Sequence, residues 1–112
     1  MKKIEAVIKP EMFSSVKLAL AKAGYNSLTA YDVKGRGKQS GVITTIDGKI
    51  IRADILPKTK IEMVVKDAEV DDIVEIIAKT AGTGTIGDGK IFISAVENAV
   101  RIRTGEHGNN AI

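Results

Sequence analysis

Residues 59–81 read TKIEMVVKDAEVDDIVEIIAKTA, and the spacing of their apolar residues changes once along the way. Ile61, Met63 and Val65 alternate with polar neighbours, so one edge of the chain is apolar at a period of two, which predicts a strand over 59–66. From Val70 the rhythm shifts: Val70, Ile73, Val74, Ile77 and Ala81 recur at the spacing that lines one side of a helix. A glycine-rich turn, AGTGTIGDGK, fills 81–90, and IFISAV at 91–96 reads as the next strand. Strand, helix and strand in this order make one βαβ unit.

The same order precedes it. Residues 2–9 (KKIEAVIK) alternate, with Ile4, Ala6 and Ile8 on one side. Pro10 ends that strand and suits the first turn of a helix, where its missing N–H is not needed. Phe13, Val16, Leu20 and Ala23 then recur at helical spacing, and Gly24 is placed to cap the helix. LTAYDVK at 28–34 reads as a second strand. Two βαβ halves predict an α+β chain with the split, ferredoxin-like βαββαβ arrangement, both helices lying on one side of a sheet. The other side is expected to show apolar residues of the Ala6 and Val64 kind and so to favour packing between subunits. VRIR at 100–103 is a candidate fifth strand, and the polar tail from Glu106 to Ile112 is expected to be mobile.

Between the halves the pattern breaks. Residues 35–57 contain Gly35, Gly37, Gly41, Gly48 and Pro57, and a loop of that length in so small a domain is usually functional or disordered. Within it, VITTI at 42–46 and KIIR at 49–52 flank Asp47-Gly48, a pair that favours a tight hairpin turn.

The chain has 112 residues, enough for one domain spanning 1–112. A domain of this size buries only about two-thirds of its unfolded surface, so self-association would help it. The net charge of +3 is mild; it suits small anions and does not call for nucleic acid. Without cysteine the chain can hold neither a disulfide nor a thiolate metal site, and a cytoplasmic location is favoured. The start, MKKIE, lacks the apolar stretch of a signal peptide, and no apolar run approaches the roughly 20 residues that cross a bilayer, so any membrane role would come through a partner.

Three segments could carry chemistry. Gly82-Thr83-Gly84-Thr85-Ile86-Gly87 fits the spacing of a dinucleotide fingerprint but follows a helix and precedes a strand, the reverse of that motif's context. It reads either as an extended helix cap or, with Gly87-Asp88-Gly89-Lys90, as a backbone cradle for phosphate. Arg101 and Arg103 would share one side of a strand and could grip phosphate; a solvated edge strand is the plainer reading. Gly35 to Gly41 could offer free amides or be a flexible linker, and Lys58 could pair with a carboxylate or simply face water. Asp67, Glu69, Asp71 and Asp72 crowd the start of the second helix, where negative charge suits the helix dipole, so they are read as structural. His107 is the single histidine and lies in the tail, which argues against a histidine metal site or nucleophilic triad.

MKKIEAVIKP, DVKGRGKQSG, LPKTKIEMVV, TGTIGDGKIF and AVRIRTGE together resemble the PII nitrogen-regulatory signal-transduction family along the whole chain. The resemblance implies a homotrimer of ferredoxin-like subunits with ATP or ADP in the three clefts between them. It implies that Gly87, Asp88, Gly89 and Lys90 cradle phosphate, helped by Gly37 and Lys38, and that Arg101 and Arg103, with Ile102 between them, reach it from the neighbouring subunit. Thr29, Glu62 and Val64 would line the base and ribose end. It further implies 2-oxoglutarate sensing through magnesium: Gln39 gives an oxygen to the metal, Lys58 pairs with the distal carboxylate, and amides of Gly37, Lys38, Gln39, Ser40 and Gly41 assist. The loop at about 36–56 would then change conformation and bind or release a protein target such as an ammonium channel, glutamine synthetase or a nitrogenase-related protein.

Some positions depart from the family pattern. Ile51 stands where the modified tyrosine usually is, Lys49 where some members carry a phosphorylated serine, and Ile46 has no hydroxyl, so covalent control at those places is not available. Asp47 occupies the place of a loop arginine used against ammonium channels, and Lys38 replaces an arginine beside the phosphate. Two other functions share the topology. An RNA-binding module would need aromatic residues on the sheet for base stacking, and the chain has only Phe13, Phe92, Tyr25 and Tyr31. A small phosphohydrolase would need an arginine and an asparagine fixed beside a phosphate loop, and none of Asn26, Asn98, Asn109 and Asn110 lies in such a loop. The expectation is therefore a regulator rather than an enzyme, with at most slow ATP hydrolysis.

Overall fold

The structure, a computed structural model, describes residues 1–36, 42–53 and 55–112. The chain order is β1 (Lys2–Ile8), α1 (Phe13–Lys22), β2 (Thr29–Gly35), β3 (Val42–Ile46), β4 (Lys49–Ala53), β5 (Leu56–Val65), α2 (Val70–Ala81) and β6 (Gly89–Ala95). Short 3-10 turns at Pro10–Met12 and Asp67–Glu69 lead into the two helices, and a third lies at Gly108–Ala111. β3 and β4 pair antiparallel across Asp47-Gly48, the turn expected from the sequence.

Four strands form the main sheet in the order β2-β5-β1-β6, every neighbouring pair antiparallel. Each helical crossover skips one strand position, and the strand of the other half fills the gap. This is the ferredoxin-like split arrangement.

Alternation decides which side of the sheet is buried. Ile4, Ala6 and Ile8 of β1 and Ile61, Met63 and Val65 of β5 pack against Val16 and Leu20 of α1 and Ile73, Ile77 and Ala81 of α2. Each fully buried isoleucine in this core is worth about 2 kcal/mol in apolar transfer. Ala6 therefore belongs to the core and not, as expected, to the open side: it sits between Ile4 and Ile8, and strand alternation carries all three together. Val64 does lie on the open side, 38% exposed. Ala23, placed on the α1 stripe by its spacing, follows the last helical turn and is exposed.

The open side is held by charge. Glu5 sits between Lys3 and Lys60, 2.9 Å from each ammonium. The Tyr31 hydroxyl donates to Glu62 at 2.6 Å, and the Lys60 ammonium stands 5.6 Å from the Tyr31 ring centroid. The bond to Lys3 holds the Glu5 carboxyl below its ordinary range, and the bond to Glu5 pushes Lys60 up to about 12.

β5 begins at Leu56, earlier than the alternation suggests, and includes Pro57. Pro57 faces Lys34 of β2, whereas pairing with β1 starts only at Thr59. The proline thus lies where β5 has one neighbour, the position a residue without an N–H can occupy.

The C-terminal segment corrects two expectations. Residues 100–103 are not a strand: Val100 makes a single bridge to His107, and a turn covers 102–104. Residues 106–112 are folded back rather than loose. Asn98 Oδ1 accepts from the amides of Ala99 at 2.9 Å and Gly108 at 3.0 Å, and Arg101 pairs with Glu106 at 3.1 Å. A segment rich in small polar residues closes on itself by local hydrogen bonds, which apolar periodicity does not register.

Candidate functional site

The loop that joins α2 to β6 turns around one carboxylate. Asp88 Oδ2 accepts from the amides of Thr83 at 2.7 Å, Gly84 at 2.9 Å and Thr85 at 3.3 Å, while Oδ1 takes a short bond from the Thr83 hydroxyl. Those donors, the Thr83 hydroxyl first, hold the Asp88 carboxyl well below the usual carboxylate range. Lys9, just beyond β1, completes the knot, with Nζ 3.2 Å from Asp88 Oδ1 and 2.8 Å from the Thr85 hydroxyl.

Glycine is required on both sides of Asp88. Gly87 and Gly89 have φ of +93° and +110°, in the region side chains rarely adopt. A methyl group at Gly89 would also collide with the Val7 carbonyl, because β6 enters the sheet there opposite Ile8.

Lys58 reaches across from β5 and donates to the Gly87 carbonyl at 2.6 Å. Lys90 pairs with Val7 in the register and projects from the open side of the sheet. Lys9 thus stands against the Asp88 carboxylate, Lys58 against the Gly87 carbonyl, and Lys90 lies at the start of the strand that follows the loop. The end of the sheet that carries the glycine loop has positive charge and a curved backbone, the two features an anion needs.

A second feature lies at the other end of β5. Thr29, Glu62, Val64 and Arg101 line one open cleft of about 710 Å³, together with Asn26 and Ile112. The pairing of Thr29 with Glu62 fixes the floor of this cleft. Glu62 does not stand free in it, since it accepts the Tyr31 hydroxyl.

The residues singled out in the sequence therefore separate into two groups. Gly87, Asp88, Gly89, Lys90 and Lys58 come together at the glycine loop, and Thr29, Glu62, Val64 and Arg101 at the cleft. Ile102 is fully exposed on its turn, and Arg103 is exposed beside it without lining the cleft; lacking a strand, the two arginines have no common strand face. Gly37, Lys38, Gln39, Ser40 and Gly41 lie outside the described residues. Thr83 and Thr85 belong to the glycine-rich segment singled out in the sequence, though with no role of their own, and Lys9 is a site residue that the sequence reading missed. A lysine at a strand end looks like any solvated lysine, and only the pairing of Ile8 with Gly89 brings the loop beside it.

Of the acidic residues around the start of α2, Asp67 pairs with the N-terminal amine at 2.6 Å and Asp72 accepts the Tyr25 hydroxyl at 2.7 Å, in keeping with structural roles. Among the described residues, no three histidine or acidic side chains converge on a point that could hold a metal, and no helix is long and apolar enough to cross a membrane.

Comparison with known proteins settles the family. The family model for nitrogen regulatory protein P-II matches residues 1–106. The chain belongs to the P-II family. It is 54% identical over 112 residues to nitrogen regulatory protein P-II 2 of Methanothermobacter thermautotrophicus, covering all of this chain and 97% of that one. It is 50% identical to the nitrogen regulatory protein P-II of Rhodospirillum rubrum and to that of Porphyra purpurea, over the full length of both chains in each case. The glycine loop falls within the stretch that the P-II family model covers, as do Thr29, Glu62, Val64 and Arg101 of the cleft; residues 107–112, with Ile112 of the cleft, lie beyond it.

Proposed function

We propose that this P-II protein is a regulator of nitrogen metabolism that binds ATP or ADP between the subunits of a homotrimer and acts on partner proteins through the loop at about 36–56. The observation that carries the reading is the glycine loop with its acidic side chain turned inward. Asp88 spends its charge on Thr83, Gly84 and Thr85, so the outer backbone of Gly87–Lys90 and the lysines around it are left to an anion.

The intersubunit placement follows from distance. Val64 is six residue steps along β5 from Lys58, about 20 Å of strand at roughly 3.3 Å per residue. One nucleotide would meet both ends only if they belong to different copies. Thr29, Glu62 and Val64 would then hold the base and ribose, and Arg101, with Ile102 and Arg103 on the adjoining turn, would reach toward phosphates cradled by the next copy. A folded turn serves this as well as a strand, since it presents both arginines outside the sheet.

Magnesium and 2-oxoglutarate would enter at the loop base. No protein cage for the metal stands among the described residues, so the ion would come with the nucleotide phosphates and take one oxygen from Gln39. Lys58, already at the mouth of the glycine loop, would exchange the Gly87 carbonyl for the distal carboxylate of 2-oxoglutarate. The protein would act as a regulator rather than an enzyme, and the partner would be a protein of nitrogen metabolism contacted in the cytoplasm.

Calorimetric titration of the purified protein with ATP and ADP tests this, followed by 2-oxoglutarate with magnesium and ATP present. Saturable binding of both nucleotides is expected. Gln39→Ala should keep ATP binding and lose most 2-oxoglutarate binding. A protein that binds neither nucleotide would refute the reading, and unchanged 2-oxoglutarate affinity in Gln39→Ala would refute that residue's role.

A further inference from the structure

The geometry points to Lys9 as a positioning residue for the polyphosphate loop, acting through Asp88. This rests on the nucleotide reading above and adds to it a residue to which the sequence reading gave no role. Lys9 is extended (φ −62°, ψ 136°) and is followed by Pro10, so the chain turns away directly after it and its side chain stays at the sheet end. Its ammonium has three protons to donate, and three oxygens receive them: Asp88 Oδ1 at 3.2 Å, Thr85 Oγ1 at 2.8 Å and Thr83 Oγ1 at 3.3 Å. The Lys9 side chain is 22% exposed, and its ammonium is turned into the loop, while its stem passes beside Gly87.

The consequence is a division of labour among the lysines. Lys58 and Lys90 would meet the phosphates. Lys9 keeps Asp88 from repelling them and holds the two threonine hydroxyls in register. With Thr83, Gly84 and Thr85 amides committed to Asp88, the amides left for phosphate lie after Thr85, and their direction depends on the knot that Lys9 closes. Without Lys9, Asp88 would keep its amide and hydroxyl donors but lose the ammonium that neutralises its charge beneath the phosphate position.

The test uses the full chain and compares wild type, Lys9→Met, Lys9→Arg, Asp88→Asn and the Lys9→Met/Asp88→Asn double variant. ATP, ADP and adenosine are titrated into each, and thermal unfolding is recorded. Lys9→Met should weaken ATP about tenfold or more, the scale of one charge-assisted hydrogen bond, and leave adenosine nearly unchanged. Lys9→Arg should recover much of the loss, and the double variant should bind ATP no worse than Lys9→Met alone, because both changes remove one coupled pair. Wild-type ATP affinity in Lys9→Met would overturn the proposal. So would additive losses in the double variant, which would place Lys9 on the phosphate itself, or an equal loss of adenosine, which would mean general damage. If Lys9→Met does not fold, Thr85→Val removes the 2.8 Å bond alone, and unchanged ATP affinity there overturns the proposal equally. Failure of the wild type to bind ATP at all would instead refute the nucleotide reading, a result distinguishable from the others.

Discussion

The two ends of β5 are built differently. At the Val64 end, the cleft with Thr29 and Glu62 takes its shape from the sheet: neighbouring strands are hydrogen-bonded in register, and the side chains follow. At the Lys58 end, the loop 82–88 lies outside any strand and has no ladder to hold it. It is shaped instead by Asp88, Lys9 and two threonines, and by glycines in conformations other residues avoid. The comparison teaches that a flat surface can be inherited from a sheet, whereas a curved one must be constructed one hydrogen bond at a time; on the proposed reading the first takes the base and the second the phosphates. Damage should therefore be graded: severe and phosphate-specific at the loop, milder and base-specific at the cleft.

The largest effect is expected at Gly89. Gly89→Ala forces a side chain into a left-handed backbone and against the Val7 carbonyl, and should lower the unfolding free energy by about 3 kcal/mol or more. Chemical denaturation reads this directly, and a variant as stable as wild type would break the claim that the loop entrance is sterically fixed. Next comes Val64→Lys, which places a charge in the cleft at a half-exposed position. It should weaken ATP, ADP and adenosine alike, about tenfold, while the melting temperature stays within a few degrees. Loss confined to ATP would contradict the assignment of this end to the base.

The smallest effect lies between the two ends, at Lys60. Its folded pKa is raised to about 12 by the bond to Glu5. Because the value is raised, the stabilisation is fully present below the ordinary lysine pKa, about 10.4, and is lost as pH rises through the folded value. Lys60→Met should therefore remove a shallow loss of stability between about pH 10 and 12, measurable by denaturation at matched ionic strength. An identical alkaline profile in both proteins would show that the charged lattice on the open side does not stabilise the fold.

Much of the fold was legible because periodicity is a property of local sequence. Ile61, Met63 and Val65 announce a strand, and Ile73, Ile77 and Ala81 a helix, whatever lies around them. Ala6 was expected on the open side although its alternation with Ile4 and Ile8 already placed it with the core. The glycine loop was legible as a candidate anion site because glycine density is local too. What was hidden depends on register and on side chains meeting across long separations. Lys9 and Asp88 are distant in sequence, and nothing in either segment tells that Ile8 will face Gly89. The folded-back tail was missed for the opposite reason: its bonds are local but polar, through Asn98, Arg101 and Glu106, and carry no apolar rhythm.

The account depends on one nucleotide being held by the glycine loop of one copy and the cleft of another. Subunit mixing tests this most directly. Lys90→Met disables the loop end and Arg101→Met the cleft end, and each variant alone should bind ATP weakly. After the two are dissociated together and reassembled, the account predicts that a population of wild-type-affinity sites returns, because some clefts then pair an intact loop with an intact Arg101. If the mixture shows only the weak binding of its components, both ends act within one chain and the intersubunit site is contradicted.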